Sequence, residues 1–317
     1  MTYVSGSLIQ ASDYNNFVGG TTANVSGQIN SIWSTGNGNA GYGQTTIANV
    51  SALGTVTATQ WTTLVNGLNT IRKHQSGGSF SNLGTYSVGT LINATTNFAS
   101  NLNTAFDNRL TAAATSTVTG SNYSSNFTAN SSESTASAPS VTFYLTRTAT
   151  FANSDAARYF FNAGGSLTFV FNSNSTNNNA TTRSADLLTL ATTRLSSKTV
   201  NAQDCLARTG TGGTLNADLQ TNAGYYTRTT SNVALVDITS TVYTYTGDNI
   251  KLYGKTNGVQ GSNSDNGTVF SFGIELTAGS KTASYNDAID VTLNHRVDVN
   301  YPSSGFLANT WGAVTIA

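Results

Sequence analysis

The chain of 317 residues carries 14 basic and 14 acidic side chains, and charged residues make up only 9% of it, where soluble domains average about 25%. With no field of Lys and Arg to displace counterions, direct nucleic-acid binding is not expected. The apolar share of 38% is enough to build a core, and the uncharged polar remainder suits a protein that stays assembled with partners.

The one cysteine, Cys205, rules out an intramolecular disulfide framework and reads as a small buried hydrophobe. Met1 to Val4 lacks the basic region of a secretion leader. No run approaches the roughly 18 apolar residues of a membrane span. The expectation is a soluble chain, made without secretion and without membrane insertion.

Leu8 to Trp33, "LIQASDYNNFVGGTTANVSGQINSIW", is helical by period, and Gly19-Gly20 predicts a kink or break. Ile9, Ala11, Tyr14, Phe17 and Val18 line up with Val56, Ala58, Trp61, Leu64 and Val65 at a constant offset of about 47 residues, a two-copy repeat of a helix start. Between the copies, Ser34 to Gln44 is too glycine-rich for regular structure. It lacks the Lys-Ser/Thr ending of a phosphate loop and reads as a connector. In the second copy Thr57 and Gln60 form a capping box and Val56 can staple onto Trp61. Trp61, Leu64, Val65, Leu68 and Ile71 then share one face. Arg72, Lys73 and His74 fill the last turn before Gly77-Gly78 stops the helix.

A third helix is predicted from Thr90 to about Leu110, with Leu91, Phe98, Leu102, Phe106 and Leu110 as its stripe. That stripe suits either an intrachain core or a seam with copies of itself. Residues 112 to 139, rich in Ser, Thr and Asn, read as a linker or extended loop.

After Pro139 the period changes to two. Val141, Phe143 and Leu145 alternate, as do Leu167, Phe169 and Phe171, and Asn162-Ala163-Gly164-Gly165 supplies a tight turn before the second run. Further strands are expected in Asn232 to Gly254, Asp265 to Ser280 and Asp287 to Pro302, whereas Ser184 to Leu195 leans towards helix. Short strands with turn signals point to an antiparallel sandwich or jelly roll.

Chemistry is sparse. His74 and His295 read as surface or edge side chains, and no G-x-S-x-G nucleophile elbow is present. Glu133 and Glu275 are the only glutamates. Asp287 and Asp290, with Asp298 further along, are candidate oxygen ligands for calcium, and Asp287, Asp290 and Glu275 are the first residues for a paired-carboxylate cleft. "SNSDNG", Ser262 to Gly267, has its acidic position out of register for a calcium loop, and no Cys/His pairs have zinc spacing. No catalytic set, metal or cofactor is expected. Tyr225, Tyr226, Tyr243, Tyr245 and Tyr253 crowd one part of the β region among Asn and Thr, a composition suited to sugars, sheet faces or subunit interfaces.

Three stretches carry a resemblance: "SGSLIQASDYNNF" with "GYGQ", "TATQWTTLVNGLNTIRKHQSGG", and "ARYFFNAGGSLTFVF". Together they resemble virion structural proteins of tailed bacteriophages, nearest to contractile-tailed marine phages of cyanobacteria, over roughly half of the chain. The resemblance implies a component of the tail, neck or a fibre, located in the virion and assembled in the host cytoplasm.

The expected fold is α+β. Residues 1–111 form a helical attachment region, 112–139 a linker, and 140–317 an antiparallel β domain. Tyr14, Phe17, Trp61, Leu64, Leu68, Phe98, Leu102 and Phe106 are the expected assembly contacts. The expected partners are other virion proteins and further copies of the chain, a trimer being one form. Host-surface glycans, held by the five tyrosines, are the alternative partner.

Overall fold

The structure, a computed structural model, describes residues 10–83, 87, 95–129, 141–174, 182–207, 218–221, 223–242, 245–258, 267–279 and 288–317. It is a mixed α+β chain whose described residues form six α-helices and two antiparallel sheets.

Helices α1 (Ala11–Val18) and α3 (Ala58–Ser76) both begin at the alanine of the repeat. Thr57 Oγ1 accepts from the Gln60 amide at 3.2 Å while Gln60 Oε1 accepts from the Thr57 amide at 2.8 Å, closing the expected box. α1 breaks at Gly19, as the glycine pair predicts, and the chain resumes as α2 (Ile29–Trp33). The third helix, α4, spans Thr95–Asp107. Its expected start, including Leu91, lies outside the described residues.

These helices pack by aromatic edges. Tyr14 and Trp61, equivalent positions of the two copies, meet at 6.3 Å between ring centroids. Phe17 stands edge-on to Trp61 and to Phe98, at 6.0 and 5.0 Å, and each such pair adds about 0.5–1.5 kcal/mol beyond burial. Asn15 and Asn30 hold the extended chain beside them as a neighbouring strand would. Each side chain both donates to and accepts from one backbone residue, Val50 and Ile47 respectively.

The first sheet runs β1 (Thr115–Val118), β10 (Ile289–Pro302), β4 (Ser166–Ser173), β5 (Lys198–Val200) and β6 (Cys205–Ala207), with β2 (Tyr123–Ala129) also on β10. The second runs β11 (Thr315–Ile316), β3 (Val141–Thr150), β9 (Val269–Ala278), β8 (Asn249–Thr256) and β7 (Val233–Thr239). Phe169 of the first sheet touches Phe272 of the second at 3.9 Å, and Phe127 touches Phe143 at 5.5 Å.

Two expectations need correction. The linker is partly sheet: β1 and β2 lie within residues 112–139 and pair in line along one side of β10. Ser and Thr tolerate the pleat, and Phe127 anchors the segment by burial. Between the two strands a side chain at Gly120 would sit 2.1 Å from the Val297 carbonyl oxygen, so only glycine lets the chain stay against β10. Residues 130–139 lie outside the described residues.

The Phe160-Phe161 pair, to which the sequence assigns no element, sits on a helix, α5 (Ser154–Asn162), whose N-cap Asn153 accepts from the Ala156 amide at 2.8 Å. The expected tight turn follows it, with Gly164 left-handed at φ 84°, and leads into β4. Second, the helical region is no separate attachment arm. Gln44 exchanges two hydrogen bonds with the Ala308 backbone and His74 bonds the Ala163 carbonyl at 3.0 Å. One continuous apolar core runs from Ala11 to Trp311. The leaning towards helix at Ser184–Leu195 agrees with α6 (Thr182–Thr189), which continues as a π-helical turn through Leu195.

Candidate functional site

The Gly-rich connector is the junction between the two halves. Arg158 and Asn162, one turn apart on α5, face it together. The Arg158 guanidinium donates to the carbonyls of Thr35 and Ala40, both at 3.2 Å, and to Asp155 at 2.7 Å. Asn162 Nδ2 donates to the Gly41 carbonyl at 3.0 Å. The Tyr226 hydroxyl lies 2.7 Å from Asn162 Oδ1 and 3.0 Å from the Gly38 carbonyl. Arg109, just past α4, reaches Asn39 twice at 2.8 Å, and burial pulls its pKa down from the ordinary value. These donors satisfy carbonyls that a buried loop would otherwise leave unpaired, and the arrangement serves to join.

The expected assembly contacts are interior. Tyr14, Phe17, Trp61, Leu64, Leu68, Phe98 and Leu102 are all buried within the chain, and Phe106 packs against the same core under the Arg109 guanidinium, 4.2 Å from its ring. Of the two readings of the helical stripe, the structure takes the intrachain core. These side chains are therefore corrected from interface to interior.

The tyrosines do not share a groove. Tyr225 is buried, stacked on Phe161 at 4.1 Å; Tyr226 serves the junction. Tyr245 is buried with the Arg183 guanidinium 5.8 Å from its ring. Tyr243 lies outside the described residues. Of the four described, Tyr253 is the one on an outer sheet face, partly exposed on β8, its hydroxyl 3.4 Å from Glu275 Oε2.

Both histidines are interior, which corrects the surface reading: His74 is 2% exposed and His295 is 1% exposed. His295 lies between the rings of Tyr123 and Phe171, at 5.8 and 6.4 Å. Burial first, and the charge of Arg147 second, push its pKa down to about 4. Cys205 is buried and its thiol is pushed up to about 12 by that burial.

The carboxylates named for a cleft do not gather. Glu275 is on β9 and Asp290 on β10, in different sheets. Asp287 and most of Ser262–Gly267 lie outside the described residues. Asp298 accepts from Arg296 and from the Gly120 amide. Among the described residues there is no group of three or more His, Cys, Asp or Glu placed to hold a metal, and no helix is long and apolar enough to cross a membrane.

Sequence reasoning missed a buried ion pair. Arg183 grips Asp248 bidentately, Nε to Oδ2 at 2.8 Å, and both are buried. Asp248 also accepts from the Gly279 amide at 2.8 Å, fixing the turn before β8 to the end of β9. The Thr246–Asn249 turn signal marked the place but not the partner.

A cleft of about 470 Å³ lies between β1 and the chain's last residues. Thr115, Ser116, Tyr301, Ser303, Asn309 and Trp311 help line it, an uncharged set with no titratable pair. Comparison with known proteins adds no relative: no family model, no curated protein and no solved structure matches the chain.

Proposed function

We propose that the chain is a non-enzymatic structural protein of a bacteriophage virion, a tail, neck or fibre component. Its finer architecture in this reading is an N-terminal helical region joined to an antiparallel sandwich or jelly-roll-like domain. The three phage-like stretches support the class of particle. The observation that carries assembly is the outer edge of the first sheet.

That edge is β1 followed by β2. No described strand pairs with its outer side, and from Thr115 to Ala129 it contains no charged residue and no proline. All four residues of β1 are exposed, Val118 to 54%. Proteins that stay monomeric blunt such edges with Lys, Pro or covering loops, because unpaired backbone groups template another strand. An edge left long and uncharged fits a protein that meets further copies of itself there. Each backbone hydrogen bond formed across it adds about 0.5–1.5 kcal/mol.

The test is the protein content of gradient-purified particles from the bacterial culture whose phage encodes this chain. The reading expects the chain in intact particles at a fixed copy number. Its absence from particles, with the protein present in the lysate, rejects the reading.

A further inference from the structure

The two sheets leave open edges on the same side of the molecule. Phe127 of β2 meets Phe143 of β3 at 5.5 Å, and the Arg147 guanidinium of β3 lies 3.9 Å from the Tyr123 ring of β2. The two strands therefore lie one above the other in opposite directions, with Asn126 at the level of Tyr144. On β3, Thr148 exchanges both backbone hydrogen bonds with Ala317, just past β11. Backbone groups alternate in direction along a strand. Those of Thr142, Tyr144 and Thr146 thus also point outward, where no described strand meets them. On β10, Thr292 accepts from Asn174 on the β4 side. The β10 residues of opposite parity pair with Tyr123, Ser125 and Phe127, so the backbones of Ser124, Asn126 and Thr128 turn outward on β2.

Between these edges the core is incompletely covered. Phe143 and Leu145 pack against it but stay partly exposed, whereas Ala149 on the same face of β3 is fully buried. Arg147 is the one charged residue in 123–129 and 141–147. The far edge of the second sheet is already closed. Residues 218–220 lie along β7, where Gln220 donates to the Leu235 carbonyl at 3.0 Å and Asp237 to the Asp218 carbonyl at 3.2 Å. The open side of one copy therefore cannot extend the second sheet of the next copy from its far edge. A second copy extends both sheets only by presenting the same side.

We infer that a second copy docks here across a two-fold axis and extends both sheets at once. The inference rests on the reading that the first sheet's edge joins copies, and it adds β3 to that contact. With the axis at the level of Asn126 and Tyr144, Ser124 pairs with the copy's Thr128 and Asn126 with its own counterpart. On β3, Thr142 pairs with the copy's Thr146 and Tyr144 with its counterpart. Every pair joins residues whose backbone groups point outward, as hydrogen-bonded antiparallel pairs require. One edge supplies about six N–H···O bonds. Both together supply about twelve, and a typical specific interface carries about ten. Phe143 and Leu145 lose their remaining water, as does Tyr144, which is 66% exposed in the single chain. Arg147 sits at the end of the paired run, about 20 Å from its counterpart, so the like charges stay apart.

The experiment is sedimentation velocity of the full chain beside two variants of Tyr144. Tyr144→Pro removes an N–H that points away from β9, which an edge strand tolerates, and it breaks the central pair. The parent is expected to be a dimer and Tyr144→Pro a monomer with an unchanged circular dichroism spectrum. Tyr144→Cys sets two thiols across the axis at the Cα separation of a hydrogen-bonded pair, about 5.5 Å, which a disulfide spans. Cys205 is buried and takes no part. Mild oxidation of Tyr144→Cys is expected to give a disulfide-linked dimer, and this result decides if the proline variant does not fold. An assembly that survives Tyr144→Pro, or one in which Tyr144→Cys forms no linked dimer, overturns the inference. If that same assembly is lost in Val118→Lys with Asn126→Lys, the first sheet's edge alone joins the copies. A monomeric parent overturns both.

Discussion

Arg158 donates to the Ala40 carbonyl across 118 residues of sequence, with its side chain wholly removed from solvent. The guanidinium's fork suits this place because two backbone carbonyls and Asp155 lie in directions that one ammonium cannot serve at once. Removing it strands the Thr35 and Ala40 carbonyls inside the protein. Arg158→Ala is expected to cost about 2–6 kcal/mol in urea unfolding, about 1–3 kcal/mol for each stranded carbonyl, with Arg158→Lys recovering part of the loss. An Arg158→Ala variant within about 0.5 kcal/mol of the parent would show that the junction contributes nothing to stability.

The repeat interface makes a second prediction. Trp61→Ala and Phe17→Ala should each cost about 3–5 kcal/mol, since both empty a closed core. Because their rings touch, the double variant should lose less than the sum of the two. Strict additivity in equilibrium unfolding would mean that the copies fold around separate cores.

His295 gives a pH dependence whose sign is fixed by its lowered pKa. The unfolded chain takes up a proton near pH 6.5, the folded chain only near 4. Stability is therefore full above about pH 6.5 and falls as pH drops towards 4, by about 3 kcal/mol once both states are protonated. The groups facing the ring are Tyr123 from β2, Phe171 from β4 and Arg147 from β3, whose guanidinium lies 3.9 Å from the Tyr123 ring. His74, lowered chiefly by burial, acts in the same direction. His295→Phe, measured by unfolding between pH 7 and 4, should flatten the curve to the remainder due to His74. An unchanged slope would remove His295 from the account.

How far the sequence could be read follows from how local each signal is. The start of α3 was legible because Thr57, Gln60 and Trp61 decide it within five positions. His295 was legible too, but went unread: it shares the parity of Ile289, Val291, Leu293 and Val297, so its alternating strand places it inside. Its charge type outweighed its position. Strands β1 and β2 were hidden because their pairing partner, β10, lies far along the chain and Ser/Thr/Asn sequence carries no alternation in hydrophobicity. Helix α5 was masked by its two phenylalanines beside two glycines, a pattern equally suited to a strand and its turn. For the tyrosines, composition alone separated Tyr225, stacked inside on Phe161, from Tyr253, outside beside Glu275, no better than chance.

The buried ion pair offers a further check. Asp248→Asn should cost about 3–5 kcal/mol, since Arg183 is left charged and buried. Thermal unfolding that is unaffected would place solvent at the Arg183 guanidinium.

The central claim, that the β1–β2 edge joins copies of the chain, is tested most directly by light scattering of the purified full-length protein. The comparison is a variant carrying Val118→Lys and Asn126→Lys, two charges on exposed positions of the edge. The account predicts that the parent is a multiple of the 33.0 kDa chain and that the variant is a folded monomer with an unchanged circular dichroism spectrum. A parent that remains monomeric, or a variant that assembles as the parent does, would contradict it.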